Sequence, residues 1–320
     1  LETTPEEVAR LVVIGNFDGV HRGHQWVLSR AAGQAKLRGL KLCVLTFDPH
    51  PAVVLERSSR RPLTTTTRKI ELLHASVSGL EVVVQPFDGA LAALSPAEFV
   101  ELYLKRKLNA RSVLVGENFR YGSKRAGDLS VLQKLGLEYG FDAWAENLKG
   151  DQAGAFSSTR VRKLLGEGRV KEAGEILSRP HQIFGTVIHG DKRGRTLGFP
   201  TANIGGMVEL LPQEGVYTVQ AFDVTSQAPT FLSGGVAHIG ARPTVSEDST
   251  VEVHLLGFSG DLYGRSLRID LLSHLRPVQK FESLHALKTQ IAVDVESARL
   301  CLAAVSGASP DASAEDTDGI

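Results

Sequence analysis

The hydrophobic rhythm of the chain changes near its midpoint, and that change constrains the fold more than any other feature. In the first half, continuous apolar runs LVVIG (11–15), LCVLTF (42–47), EVVVQ (81–85) and SVLVG (112–116) alternate with helical patterns near 24–38, 67–78, 96–107 and 128–139. Strands that alternate with helices imply βαβ units and a parallel sheet. Runs without period-2 alternation fit strands covered on both faces. The second half offers short segments separated by Gly and Pro turns: QIFGTVIHG, EGVYTVQAFDV, FLSGGVAHIG, VEVHLLGF and SLRIDLLSHL. That pattern belongs to an antiparallel barrel or sandwich. A closing amphipathic helix, roughly Ser283 to Leu302, carries Leu284, Leu287, Ile291 and Ala298 near helical spacing and is expected to pack on it.

A length of 320 residues accommodates two such domains. The boundary is expected near 178–184, where Ser178, Arg179 and Pro180 stop a helical stretch from Arg160 to Leu177. This gives domains 1–180 and 181–303, with 304–320 an acidic tail expected to be disordered. Net charge is zero, which argues against nucleic-acid or membrane-surface binding. The zero is a cancellation: residues 1–180 hold 26 basic and 20 acidic side chains, residues 181–320 hold 10 and 16. Two cysteines, Cys43 and Cys301, exclude a disulfide scaffold and lack zinc-site spacing, so a cytoplasmic protein is expected. No segment reads as a membrane span or signal peptide. Leu1 stands where an initiator Met would, so native residues are expected to precede it.

Directly after the first strand comes Gly15-Asn16-Phe17-Asp18-Gly19-Val20-His21-Arg22-Gly23-His24, then a helix. Ligands of parallel α/β sheets bind at strand carboxyl ends, where a Gly-containing turn and a helix N-terminus meet phosphate. His21 and His24 could share one side of that turn and stabilise charge on a reacting phosphate. Alone, the pair reads equally as a loop His and a capping His. At a second loop-to-helix junction, Ser157-Ser158-Thr159-Arg160-Val161-Arg162 offers hydroxyls and a guanidinium either to a helix cap or to outer phosphates.

The two motifs together resemble the HxGH/SSTxxR nucleotidyltransferase superfamily. Thr46-Phe47-Asp48-Pro49-His50-Pro51, Pro86-Phe87, and Gly116-Glu117-Asn118-Phe119-Arg120-Tyr121-Gly122 with Gly127-Asp128 narrow the likeness to the adenylyltransferase module of the bifunctional prokaryotic riboflavin kinase/FMN adenylyltransferases, or FAD synthetases. The resemblance covers residues 8–300 and implies a Rossmann-like nucleotidyltransferase domain. It also implies ATP contacts at Gly15, Phe17, Asp18, Gly19, His21, His24, Ser158, Thr159 and Arg162, and flavin-side contacts at Asn118 and Asp128. Phe156 departs from the small aliphatic residue expected there, which bears on packing beneath the loop.

The second half matches independently. Gly185-Thr186-Val187-Ile188-His189-Gly190-Asp191-Lys192-Arg193-Gly194-Arg195-Thr196-Leu197-Gly198-Phe199-Pro200-Thr201-Ala202-Asn203 resembles the riboflavin kinase signature. A Gly-rich basic turn offers N–H groups and charge to ATP phosphates, here through Gly190, Gly194 and Gly198, without being a Walker loop. Thr201 and Asn203, two apart on an extended segment, present oxygens to one side, and oxygens suit Mg²⁺. The same residues also read as an ordinary Gly/Pro turn. Glu252 lies in an apolar strand, where a carboxylate is usually the solvent-facing member; the resemblance makes it the general base for the riboflavin 5′-hydroxyl. Arg276, in Leu275-Arg276-Pro277, is expected on the flavin side. His238 stands where the family has Asn.

The resemblance therefore implies a transferase with an antiparallel riboflavin kinase barrel and a C-terminal helix. Its substrates would be riboflavin, FMN and ATP, its product FAD, and Mg²⁺ its metal. An oligomer is compatible with the sequence but not predicted by it. A monofunctional kinase with a drifted first module and a non-catalytic flavin-binding sensor are the alternatives. Arg57, Arg60 and Arg61 read as a solvated loop, Thr64–Thr67 as a helix cap, and Cys43 as core.

Overall fold

A computed structural model describes residues 8–55, 61–147, 149–190, 194, 198–226, 228–241 and 249–306. The chain divides into two compact units, Leu1–Ser158 and Thr159–Ile320. The first contains β1 (Arg10–Ile14), α1 (Arg22–Leu37), β2 (Lys41–Asp48), α2 (Pro51–Val54), α3 (Thr66–Ser76), β3 (Glu81–Pro86), α4 (Gly89–Ala93), α5 (Pro96–Phe99), β4 (Ala110–Gly116), α6 (Leu129–Tyr139), β5 (Asp142–Glu146) and the short pair β6 (Gly150–Asp151) and β7 (Gly154–Ala155). A π-type segment, Val100–Lys107, continues α5, so together they fill the helical pattern expected over 96–107.

The main sheet has the order β3-β2-β1-β4-β5, with every pair parallel. Alternate residues of each strand supply opposite cores. Val12, Ile14, Cys43, Leu45, Val113 and Val115 pack on one face; Leu11, Val13, Leu42, Val44 and Leu114 pack on the other. This explains the unbroken apolar runs. Leu11 through Ile14 are each at most 3% exposed, and burying such side chains contributes about 1.5–3 kcal/mol apiece. Strand β5 has no such run. Its sequence DAWAE is half-buried at the sheet edge, so periodicity does not reveal it.

The second unit opens with α7 (Ser158–Gly166, whose first residue closes the first unit) and α8 (Val170–Leu177). The helical stretch expected from Arg160 to Leu177 is thus two helices. The break is at Gly168, which takes φ +73°, a conformation that costs glycine nothing. Ser178 ends α8 in the left-handed region, φ +57°. There follow β8 (His181–Ile188), β9 (Ala202–Gly205), β10 (Gly215–Asp223), β11 (Thr230–Ala241), β12 (Ser249–Leu255), β13 (Ser266–Arg276) and α9 (Leu284–Ser306).

The strands close into an antiparallel barrel in the order β10-β11-β12-β9-β8-β13. Closure leaves no free sheet edge. The strand β9, ANIG, begins one residue after Thr201 and is too short to stand out as a strand in sequence. Helix α9 lays Val295 and Ala298 on Val216 and Val236 of the barrel wall. Leu284, expected on that stripe, is instead 71% exposed, because the helix begins beyond the barrel contact. The acidic tail from 307 onward and Arg57 and Arg60 lie outside the described residues. No helix among the described residues is long and apolar enough to cross a membrane.

Candidate functional sites

In the first unit the strand order reverses between β1 and β4, so their carboxyl ends diverge and leave a crevice. A cavity of about 810 Å³ occupies it. Its walls include Gly15, Asn16 and Phe17 from the β1–α1 turn, His24 from the start of α1, Phe47 near the end of β2, and Asn118, Phe119 and Tyr121 after β4. Phe119 and Tyr121 stack at 5.3 Å and 15°, and Phe99 lies 5.4 Å from Tyr121. Such an aromatic group suits a flat ring system.

The β1–α1 turn is held in an uncommon backbone form, with φ +50° at Phe17, +84° at Gly19 and +41° at Val20. The surroundings fix it. The Asp18 carboxylate accepts from Leu63 N at 2.8 Å, Gly19 N donates to Thr64 Oγ1 at 3.3 Å, and Ser158 Oγ donates to Asp18 O at 2.8 Å. Thr46 Oγ1 and Lys69 Nζ both donate to Asn16 O, at 3.1 and 3.5 Å. His21 caps α1, its Nδ1 accepting from His24 N at 3.4 Å, and the two imidazoles stack at 3.6 Å. Gly23 is required between them: a Cβ there would sit 2.7 Å from Phe156 O. Phe156 itself is 3% exposed and lies under the Arg22 guanidinium, so the family departure is absorbed by packing.

His24 lines the cavity half-buried, with its Nδ1 shielded from solvent. Burial first, then the neighbouring His21 and Lys69, holds its pKa well below the usual imidazole range. Burial likewise lowers Lys69, against the pull of Asp48 and Asp18.

Of the flavin-side candidates, Asn118 lines the cavity. Asp128 caps α6, accepting from Val131 N at 3.1 Å, and that bond first of all depresses its carboxyl pKa. Thr159 and Arg162 lie in the first half of α7, in the second unit.

In the barrel the register brings distant residues into one row. Asn203 pairs with Glu252 across β9 and β12, Glu252 with His238 on β11, His238 with Val216 on β10, and Val216 with Arg276 on β13. Directly paired residues stand roughly 5 Å apart at Cβ. The flanking row, Ile204, Val251 and Ile239, is 1–4% exposed and fills the interior. Glu252, Asn203 and His238 therefore face outward.

Two glycines make room beside this row. A Cβ on Gly190 would lie 2.5 Å from Asn203 Cγ, and one on Gly194 would press first on the Phe199 carbonyl and lie 3.1 Å from Thr201 Oγ1. Gly198 takes φ +89°. His254, two residues beyond Glu252, takes Pro200 O as a partner at 2.8 Å through Nδ1 and so anchors the segment that carries Thr201. The neighbouring Asp191, Lys192, Arg193, Arg195, Thr196 and Leu197 lie outside the described residues, as do Arg242, Pro243 and Thr244. Thr201 and Asn203 offer neutral oxygens. Among the described residues no group of three or more His, Cys, Asp or Glu could hold a metal ion.

Arg276 is engaged by Asp294 of α9, with Nε–Oδ1 at 2.9 Å and Nη2–Oδ2 at 2.8 Å. Sequence reading missed Asp294, Lys69 and His254. Only Lys69 left a trace: it stands four residues before Leu73 on the buried stripe of α3, an unusual place for a lysine.

The sequence model of the FAD synthetase family matches residues 3–160, and that of the riboflavin kinase family matches residues 177–302. Bifunctional riboflavin kinase/FMN adenylyltransferases from Escherichia coli (strain K12) and Pseudomonas fluorescens are 38% and 41% identical over 301 residues. These alignments span 93% and 92% of this chain and 94% of each relative. A solved structure from Streptococcus pneumoniae, named a macrolide-efflux protein, matches with a TM-score of 0.80 at 30% identity, over 93% of this chain and 95% of that one. With each half matched in its own unit and the whole length aligned, the chain belongs to the family of bifunctional riboflavin kinase/FMN adenylyltransferases.

Proposed function

We propose that this chain converts riboflavin to FMN at the barrel and FMN to FAD at the parallel-sheet unit, using ATP in both steps. The observation that carries the reading is the separation of the two residue sets: His24 lines the first unit's cavity, whereas Glu252 stands opposite Asn203 on the barrel wall. The functional boundary is proposed near residue 180; the FAD synthetase match ends at 160 and the riboflavin kinase match begins at 177.

At the barrel, the riboflavin 5′-hydroxyl oxygen attacks the γ-phosphorus, the bond to the β-bridging oxygen breaks, and ADP leaves. Glu252 takes the hydroxyl proton. Gly190 and Gly194 let the backbone come close to phosphate, and Thr201 and Asn203 would hold Mg²⁺, which supplies charge neutralisation on the phosphates when bound. Two neutral protein oxygens fit a hard cation that arrives on a nucleotide. Positioning carries most of the catalysis in such a transfer.

In the first unit, a phosphate oxygen of FMN attacks the α-phosphorus of a second ATP, the bond to the β-phosphate breaks, and pyrophosphate leaves. The isoalloxazine ring would rest on Phe119 and Tyr121, with Asn118 beside it. His21 and His24 stabilise charge on the transferring group. Arg276 is proposed to shape the flavin side of the barrel through its tie to α9. Cys43 and Cys301 are free thiols, which fits a reducing cytoplasm.

The test is chromatographic resolution of riboflavin, FMN and FAD after incubation with ATP and Mg²⁺. Glu252→Gln is expected to lower FMN formation about 10²- to 10⁴-fold and leave FMN-to-FAD conversion intact; His24→Ala is expected to do the reverse. Equal loss of both reactions in each variant would refute the two-site assignment.

A further inference from the structure

Lys69 is 6% exposed and makes no ion pair among the described residues; its ammonium is held by Phe47 O at 3.0 Å and Asn16 O at 3.5 Å. A buried cation satisfied by carbonyls alone is costly, and an apolar residue would serve the buried stripe of α3 without that cost. The two carbonyls belong to residues just past β1 and at the end of β2, and both Asn16 and Phe47 line the cavity. Asn16 also opens the turn whose Phe17 and Val20 take positive φ. Lys69 therefore braces the strained turn from below and places a fixed positive charge beneath the cavity floor. Fixed charge that needs no rearrangement is the most effective kind for a developing anionic transition state.

We propose that Lys69 is a positioning residue for adenylyl transfer: its ammonium ties the Asn16 and Phe47 carbonyls and so holds the Gly15–Val20 turn, with His24 behind it, in the form that receives the triphosphate. The inference rests on the reading of this unit as the adenylyltransferase. The charged and titratable groups around Lys69 are His24 of α1, Asp18 of the turn and Asp48 of β2; Arg68, its neighbour in α3, pairs with Glu71 at 2.6 Å. Removing the ammonium removes a cation that disfavours protonated His24, so the His24 titration moves to higher pH.

The experiment compares the full-length wild type with K69M and K69R for FMN-to-FAD conversion from pH 5 to 9, with riboflavin phosphorylation as internal control. K69M is expected to lower kcat on the order of 10- to 100-fold with a smaller change in KM for ATP, as loss of a preorganised electrostatic group does. It is also expected to move the His24 limb of the pH profile upward and to leave FMN formation unchanged. K69R keeps the charge and is expected to keep the limb in its wild-type place even where the rate is only partly restored. Unchanged kcat and pH limb in K69M would overturn the proposal. So would equal rate loss in both variants with the limb unmoved, which marks a purely structural role. Should K69M fail to fold, K69Q is read by the same profile. A wild type that forms no FAD from FMN would instead refute the adenylyltransferase reading itself.

Discussion

Replacing Gly190 with Ala should disable one activity while leaving the fold and the other activity intact. The new Cβ would lie 2.5 Å from Asn203 Cγ and 2.6 Å from its Oδ1, where unstrained contacts need about 3.5 Å. The carboxamide must therefore move by roughly 1 Å. That move is cheap in stability, because Gly190 has no positive φ and the obstacle is a side-chain end, not backbone. It is expensive in chemistry, since a misplacement of about 1 Å can cost on the order of 10²-fold, or about 2.7 kcal/mol of barrier. The assay is ATP- and Mg²⁺-dependent formation of FMN, with FAD formation from FMN in the same preparation as control. A double-mutant cycle isolates the cause: G190A/N203A should be no slower than N203A, because the clash disappears with the carboxamide. Wild-type FMN formation in G190A, or additive losses in the double variant, would refute the argument that Gly190 acts through Asn203.

Two further outcomes follow from buried charge. Asp294→Ala strands the Arg276 guanidinium, 17% exposed, against the barrel wall; breaking a buried pair costs roughly 3–5 kcal/mol, and the partial exposure places this one at the lower end. Urea unfolding should show the loss in the transition of the barrel unit, and an unshifted midpoint would show that water already serves Arg276. His24 is held neutral in the native protein, whereas the unfolded chain protonates it near the ordinary value of 6.5. Protons then favour the unfolded state, so stability conferred by the neutral ring is present above pH 6.5 and is lost as pH falls below it. NMR titration of the His24 imidazole should give a value well below 6.5 without ligand and an upward shift when ATP is added. A ligand-free titration at or above 6.5 would contradict the desolvated geometry.

The class of each half was written in local sequence. A strand buried on both faces must be apolar at every position, so Leu11–Ile14 and Leu42–Phe47 announced themselves, and the glycines near Asn203 and between the two histidines stood where close approach later required them. Edge and short elements escaped, because DAWAE at the sheet edge and ANIG in the barrel carry too little buried surface to impose a period. The site residues were legible as motifs, but their company was not. Whether Glu252 faces Asn203 depends on strand register, and a one-residue slip would send it to the other face. Arg276 joins the same row only because the barrel closes, and there it meets Asp294 from a helix 18 residues on. Lys69 reaches Asn16 across 53 residues of chain because parallel strands end side by side above α3. Sequence by itself determined which residue types were available and which layers they would form, since both follow from neighbours along the chain. Tertiary structure alone decided which carbonyl, carboxylate or imidazole each charge would meet, since those distances are set by packing between segments that share no local pattern.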